Sequence, residues 1–217
     1  LSSRLTKQNI NRGEGKRPSP LLVFDIKGKK GIAMQFIGLL IAAAIIGIDR
    51  YTKWLVEQKM ALHQSISVIK IGDREVLNLS YYLNDGAAFS KFEGKTTMLI
   101  IVTSIIIITL ITLVIMKKVK RPSYIVAVSL IVGGGIGNLI DRIFNEGMVV
   151  DFIDFRLIQF AIFNFADIAA VCGAGLIMLL ALIDEIKSRK MKREAAKAGI
   201  TPAQAADGAE ASDDGKA

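Results

Sequence analysis

The chain has 217 residues, 52% of them hydrophobic, with a mean hydropathy of +0.44, against roughly 45–50% apolar content in an ordinary soluble domain. Its apolar residues collect in four runs long enough to cross a hydrocarbon core, which excludes a solvated enzyme, a collagen-like chain and a disordered protein. The formal charge of +8, from 28 basic and 20 acidic residues, is distributed between those runs as membrane topology requires and does not point to nucleic acid.

In chain order, residues 1–30 carry eight Lys/Arg and two acids and no periodic apolar face, which predicts a disordered basic extension. Residues 31–48 are free of charge and open the first span, expected over 33–54. That run exceeds a signal-peptide core, and no small-residue cleavage pattern follows it, so the span is read as retained. The loop 57–95 holds five charges of each sign. Within it, Ser65–Ile71 alternates polar and apolar residues, Gly72-Asp73 supplies a turn, and 76–83 resumes β-branched and aromatic character; the pattern predicts a β-hairpin. The second and third spans, 96–116 and 122–141, are joined by the basic link Lys117-Lys118-Val119-Lys120-Arg121. The link 141–156 has two basic and four acidic residues, and the fourth span, expected over 160–183, precedes a basic stretch at 187–197. Basic links inside and balanced or acidic links outside satisfy the positive-inside rule at every connection. The expectation is an all-α membrane protein with four transmembrane helices in a domain spanning 31–190. Both termini are expected in the cytoplasm, with a small extracytoplasmic β element and a disordered tail at 191–217.

An ionisable residue within a span costs roughly 2.5–3.5 kcal/mol on insertion scales, so each one calls for a reason. Asp49, Asn138, Asp141, Arg142 and Asp167 sit in or at the ends of spans. The first and third spans run outward and the fourth starts outside, so these residues and Asn164 are expected at the outer interface, level with Asp151 and Asp154 of the last link. His63, the single histidine, lacks a partner motif and reads as a solvated loop residue. Cys172, the single cysteine, forms no internal disulfide and reads as a small residue at a helix contact. What remains is a carboxylate pair. Such a pair shares one proton and hydrolyses amides, but a carboxylate cluster equally binds a hard cation or relays protons. An ion or proton transporter is therefore the rival reading, although transport favours acids staggered through the membrane and the second span carries none.

Five segments carry a resemblance. They are Asp49-Arg50-Tyr51-Thr52-Lys53, Asn84-Asp85-Gly86-Ala87-Ala88-Phe89, the run from Gly133-Gly134-Gly135 through Asn138 to Asp141-Arg142, Val149-Val150-Asp151-Phe152, and Phe163-Asn164-Phe165-Ala166-Asp167. In this order and spacing, over roughly 34–187, the chain resembles the lipoprotein signal peptidases, the type II signal peptidases. The resemblance implies an integral-membrane aspartic endopeptidase that removes signal peptides from prolipoproteins by cutting before a diacylglyceryl-modified cysteine. It implies a bacterial cytoplasmic (inner) membrane location with the site at the extracytoplasmic face, and Asp151 with Asp167 as the catalytic pair. Prolipoprotein signal peptides and membrane lipids are the expected partners, with no nucleic acid, no cofactor, no metal and a monomeric enzyme.

Asp154 and Asp141 are the local competitors for Asp151; Asp141 beside Arg142 reads as a charged network fixing the end of the third span. Asp49 and Lys53, four apart on one helix face, either neutralise one another or support the site. Gly134 and its glycine neighbours permit close approach by a helix or by substrate. Gly86 offers a slim surface, while Asn84, Asn138 and Asn164 offer amides for a peptide backbone or an oxyanion, or for structural hydrogen bonds. The phenylalanines between 152 and 165 read as interfacial and core packing, with some rings suited to an acyl groove.

Overall fold

The computed structural model describes residues 20–86, 96–158 and 160–198, with side chains from residue 33. Ala87, Ala88 and Phe89 of the second motif and the ends of both expected tails lie outside the described residues. The elements in order are α1 (Pro20–Lys59), β1 (Ser65–Ile71), β2 (Arg74–Asn84), α2 (Thr96–Ile115), α3 (Pro122–Phe144), β3 (Val149–Phe155) and α4 (Phe165–Ala198).

All four helices are long and apolar enough to cross a membrane, over Ala33–Lys59, Thr96–Ile115, Pro122–Phe144 and Phe165–Lys197. At 1.5 Å per residue, even the 20 residues of α2 reach about 30 Å, the thickness of a hydrocarbon core. α2 buries only Ile107 and is apolar all round, as a lipid-facing helix is. α3 is the central helix, packed on α1, α2 and α4. Its glycines make that possible. A Cβ on Gly134 would sit 2.2 Å from the Ala166 carbonyl oxygen of α4, and one on Gly137 would sit 2.6 Å from Asp49 Oδ2 of α1, so side chains there would force the helices apart.

The helices outrun the expected spans. α1 starts at Pro20, inside the stretch expected to be disordered, and α4 continues through 191–198 of the expected tail. No proline interrupts either extension, and α4 adds intrahelical pairs, Arg189 Nε to Glu185 at 2.7 Å and Lys190 to Glu194 at 3.9 Å, which favour helix in water as well as in lipid. α3 runs on to Phe144, where the chain turns through Glu146 (φ 53°) and Gly147 (φ 93°).

The expected hairpin forms, and a third strand adds to it. β1, β2 and β3 make an antiparallel sheet in that order. The segment 149–155 lies within the link 141–156, to which the sequence assigns no strand. It nevertheless pairs with β2 at Tyr82↔Asp151, Leu83↔Val150 and Asn84↔Val149, and Val150 and Phe152 pack with Val56 of α1. Residues ahead of α4 then run along β3: the Phe163 N–H donates to Ile153 O at 3.1 Å, and the Ile153 N–H donates back to Phe163 O at 2.8 Å. This pairing delays the start of α4 from the expected position 160 to Phe165.

Candidate active site

α4 begins with two neighbouring polar side chains that cap one another. Asn164 Oδ1 accepts the Asp167 N–H at 3.0 Å, and Asp167 Oδ2 accepts the Asn164 N–H at 3.1 Å, the reciprocal arrangement of a capping box. A further free N–H of that first turn, from Ala166, donates to Asp49 Oδ1 of α1 at 3.0 Å. Asp167 is thus aimed by the way its helix starts.

Asp151 comes from β3 and is 2% exposed. Its Oδ2 accepts from Asn84 Nδ2 at 2.9 Å, and its Oδ1 from Asn164 Nδ2 at 2.7 Å. Asn164 Nδ2 also donates to Asn138 Oδ1 at 2.9 Å, and Asn138 Nδ2 donates to Asp167 Oδ1 at 2.7 Å. Three asparagines from β2, α3 and the foot of α4 therefore link two carboxylates into one chain of hydrogen bonds. Burial and then the negative charge of Asp167 push the Asp151 carboxyl up to about 7, against the opposing pull of Asn84, Asn164 and Lys53.

Beneath the pair lies a buried ionic cluster. Lys53 Nζ is 2.8 Å from Asp49 Oδ2, 2.8 Å from Asp141 Oδ2 and 2.9 Å from Asn138 Oδ1; the side chains of Lys53, Asp49 and Asp141 are fully buried. Arg50 pairs with the other oxygen of Asp141, whose Oδ2 also accepts the Val150 N–H at 3.2 Å. Asp141 is therefore fixed by Lys53 and Arg50, not by its neighbour Arg142. Arg142 instead donates to the Gly86 carbonyl at 2.9 Å, with its charge near Asp167 and Asp151 and its Nε buried without a hydrogen-bond partner.

Asp151 and Asp167 line one cavity of about 430 Å³ together with Asn84, Asn138 and Arg142; Phe160, Phe163, Ile168 and Val171 supply apolar wall. Cys172 is exposed on this wall, which corrects its expected place at a helix contact: α4 turns its 168/171/172 face to the cavity. Asp154 does not line it. Its Oδ2 accepts from Ser80 at 2.8 Å and pairs with Arg156 at 2.7 Å. His63 lies edge-on to Tyr82 and is likewise absent from the cavity wall. A Cβ on Gly134 would meet Ala166 and Ala170 of α4, so this glycine permits the close contact between α3 and α4. Among the described residues no three His, Cys, Asp or Glu side chains converge as a metal site.

Phe160 and Phe163 belong to the phenylalanine stretch expected to supply packing or acyl-groove rings, and both line the cavity; Arg50 and the wall residues Ile168 and Val171 had no role assigned from the sequence. Arg50 carried a usable signal, a cation at the end of an apolar run beside Asp49; the wall residues are ordinary span residues until the cavity is seen.

Residues 41–183 match the sequence model of the signal peptidase (SPase) II family. The lipoprotein signal peptidase of Brevibacillus brevis is 39% identical over 150 residues, covering 69% of this chain and 97% of that protein. That of Listeria monocytogenes is 38% identical over 157 residues, covering 70% and 97%. A solved structure described as a bacterial membrane enzyme is 36% identical with a TM-score of 0.63, covering 69% of this chain and 89% of that one. The matched stretch brackets every residue of the carboxylate site, and the chain belongs to the signal peptidase II family of bacterial membrane proteases.

Proposed function

We propose that this protein removes signal peptides from prolipoproteins by cutting before a diacylglyceryl-modified cysteine, with Asp151 and Asp167 as the catalytic pair. The observation that carries the assignment is the meeting of these two carboxylates, from β3 and α4, on the wall of one largely apolar cavity. Asp154 and Asp141 are already engaged by Arg156, Arg50 and Lys53, so neither competes for the role.

In the proposed reaction, Asp151 keeps the shared proton and hydrogen-bonds the scissile carbonyl, while ionised Asp167 takes a proton from the attacking water. Negative charge then grows on the carbonyl oxygen beside Asp151 and Arg142. Return of a proton to the amide nitrogen releases the signal peptide. The apolar walls suit an apolar signal sequence or acyl chain, and burial in the site raises the strength of every polar contact there. The reading needs no metal or organic cofactor, and a monomer contains the whole site. Charge placement supports both termini in the cytoplasm, the sheet and cavity at the extracytoplasmic face of the cytoplasmic membrane, and a single peptidase domain over 31–190. Acids gathered at one end, with none in α2, do not support a transport path.

The test is incubation of the purified protein with a prolipoprotein carrying or lacking the diacylglyceryl group, in chelating buffer. Cleavage of the modified substrate alone is expected, because acyl anchoring contributes about 0.8 kcal/mol per buried methylene. Equal cleavage of both substrates, or cleavage abolished by the chelator, would count against the reading.

A further inference from the structure

Lys53 touches neither carboxylate of the pair, and its side chain is fully buried, yet it stands at the foot of the hydrogen-bond chain that joins them. An ammonium group has three hydrogens and no lone pair, so it only donates. Lys53 donates to Asn138 Oδ1 at 2.9 Å and stands in ion-pair contact with Asp49 Oδ2 and Asp141 Oδ2. With Asn138 Oδ1 claimed by Lys53 and by Asn164 Nδ2, the Asn138 amide nitrogen must face Asp167 Oδ1. A flipped Asn138 would set donor against donor at Lys53 and Asn164, and acceptor against acceptor at Asp167. Asn164 is held in the same sense, since its Oδ1 is occupied by the Asp167 N–H and its nitrogen serves Asp151 Oδ1.

We propose that Lys53 is a positioning residue for the reaction, which fixes the direction of the Asn138–Asn164 amide relay and so holds Asp167 Oδ1 and Asp151 Oδ1 as acceptors. This inference rests on the assignment of Asp151 and Asp167 as the catalytic pair. The charged groups around the cluster are Asp49 and Arg50 from α1, Asp141 and Arg142 from α3, Asp151 from β3 and Asp167 from α4. Lys53 is the cation that reaches the relay from below, and its charge favours ionised Asp151.

The experiment compares the pH dependence of kcat and KM in the parent and in Lys53→Met. Loss of the cation makes the pair hold its protons more tightly, so the whole profile moves to higher pH by about one pH unit. At neutral pH the shift alone leaves Asp151 protonated, so the fall in kcat expected there, about tenfold, reports the lost direction of the amide relay, while KM stays within about twofold because substrate does not reach a buried lysine. A profile that is lowered but unmoved is what a purely structural ion pair gives, and it overturns the proposal. The double variant Asp49→Asn/Lys53→Met leaves Asp141 with Arg50 and removes an uncompensated buried charge; it is expected to move the profile in the same direction but by less, because the Asp49 anion is lost with the cation, and an unmoved profile there overturns the proposal equally. A second readout needs no substrate: the infrared carbonyl band of protonated Asp151, identified by its loss in Asp151→Asn, should titrate at higher pH in Lys53→Met than in the parent. An unmoved band overturns the role of Lys53, whereas a parent that cleaves nothing overturns the peptidase reading and leaves the band to decide on Lys53.

Discussion

Asp151 holds its proton to about pH 7 in the folded protein, while an unfolded carboxyl releases it near about 4. Stability from this group is therefore complete below about pH 4 and is lost as pH rises through about 7. Asp151→Asn, which has no charge to bury, should be more heat-resistant than the parent at pH 8–9, by on the order of 2–4 kcal/mol, with the difference vanishing in acid. Thermal unfolding in detergent at several pH values measures it, and a parent as stable as the variant at pH 9 would contradict it. Asn84 donates to Asp151 Oδ2 and also accepts the Gly86 N–H at 2.9 Å, so Asn84→Ala should lower kcat by roughly tenfold to a hundredfold with KM little changed. At this scale much of the site was legible. Asp49, Lys53, Asn84, Asn138, Asp141, Asn164, Asp151 and Asp167 stand out as polar groups at span ends or in motifs, and the structure brings them into one network. Their pairing was not legible: the sequence puts Asp141 next to Arg142, but helix geometry turns adjacent side chains apart, and Asp141 meets Arg50 and Lys53 of another helix.

Two elements deliver the carboxylates, and each depends on a backbone feature. At α4 the Asn164/Asp167 capping box and the Asp49 cap satisfy the first-turn N–H groups of Asp167 and Ala166. Asn164→Ala removes a cap and the bridge between Asp151 and Asn138 together, with an expected cost of about 1–2 kcal/mol from the cap alone and a larger loss of activity. Unfolding and cleavage measured on the same preparation separate the two. Gly134→Leu should fail to give folded protein, because even a Cβ would lie 2.2 Å from the Ala166 carbonyl at the start of that same helix. Normal yield and activity of Gly134→Leu would show that α3 and α4 have room to separate. The hairpin was readable from alternation and a Gly-Asp turn. β3 was not, because two acids break the apolar pattern, and its partners Tyr82–Asn84 lie far off in sequence.

For the whole molecule, four apolar runs and the alternation of charge between them made the helix count legible before any contact was known. The helix ends were less so, since α1 and α4 continue as helix beyond the lengths a membrane demands, and propensity there is not marked by a change in hydrophobicity. The sidedness inferred from charge predicts that cysteines placed at Ile71 and Lys120, in a Cys172→Ala background, label oppositely with a membrane-impermeant thiol reagent. Ile71, 67% exposed on β1, should react in intact cells and Lys120 only after the membrane is opened; the reverse order would put the cavity on the cytoplasmic side. The central claim is that Asp151 and Asp167, and not their acidic neighbours, perform the cleavage. It is tested most directly by the turnover of diacylglyceryl-modified prolipoprotein by Asp151→Asn, Asp167→Asn and Asp154→Asn, each purified from the membrane. The first two should lose turnover by at least about a thousandfold while remaining folded, with Asp154→Asn within about tenfold of the parent; an active Asp151→Asn beside an inactive Asp154→Asn would contradict the assignment.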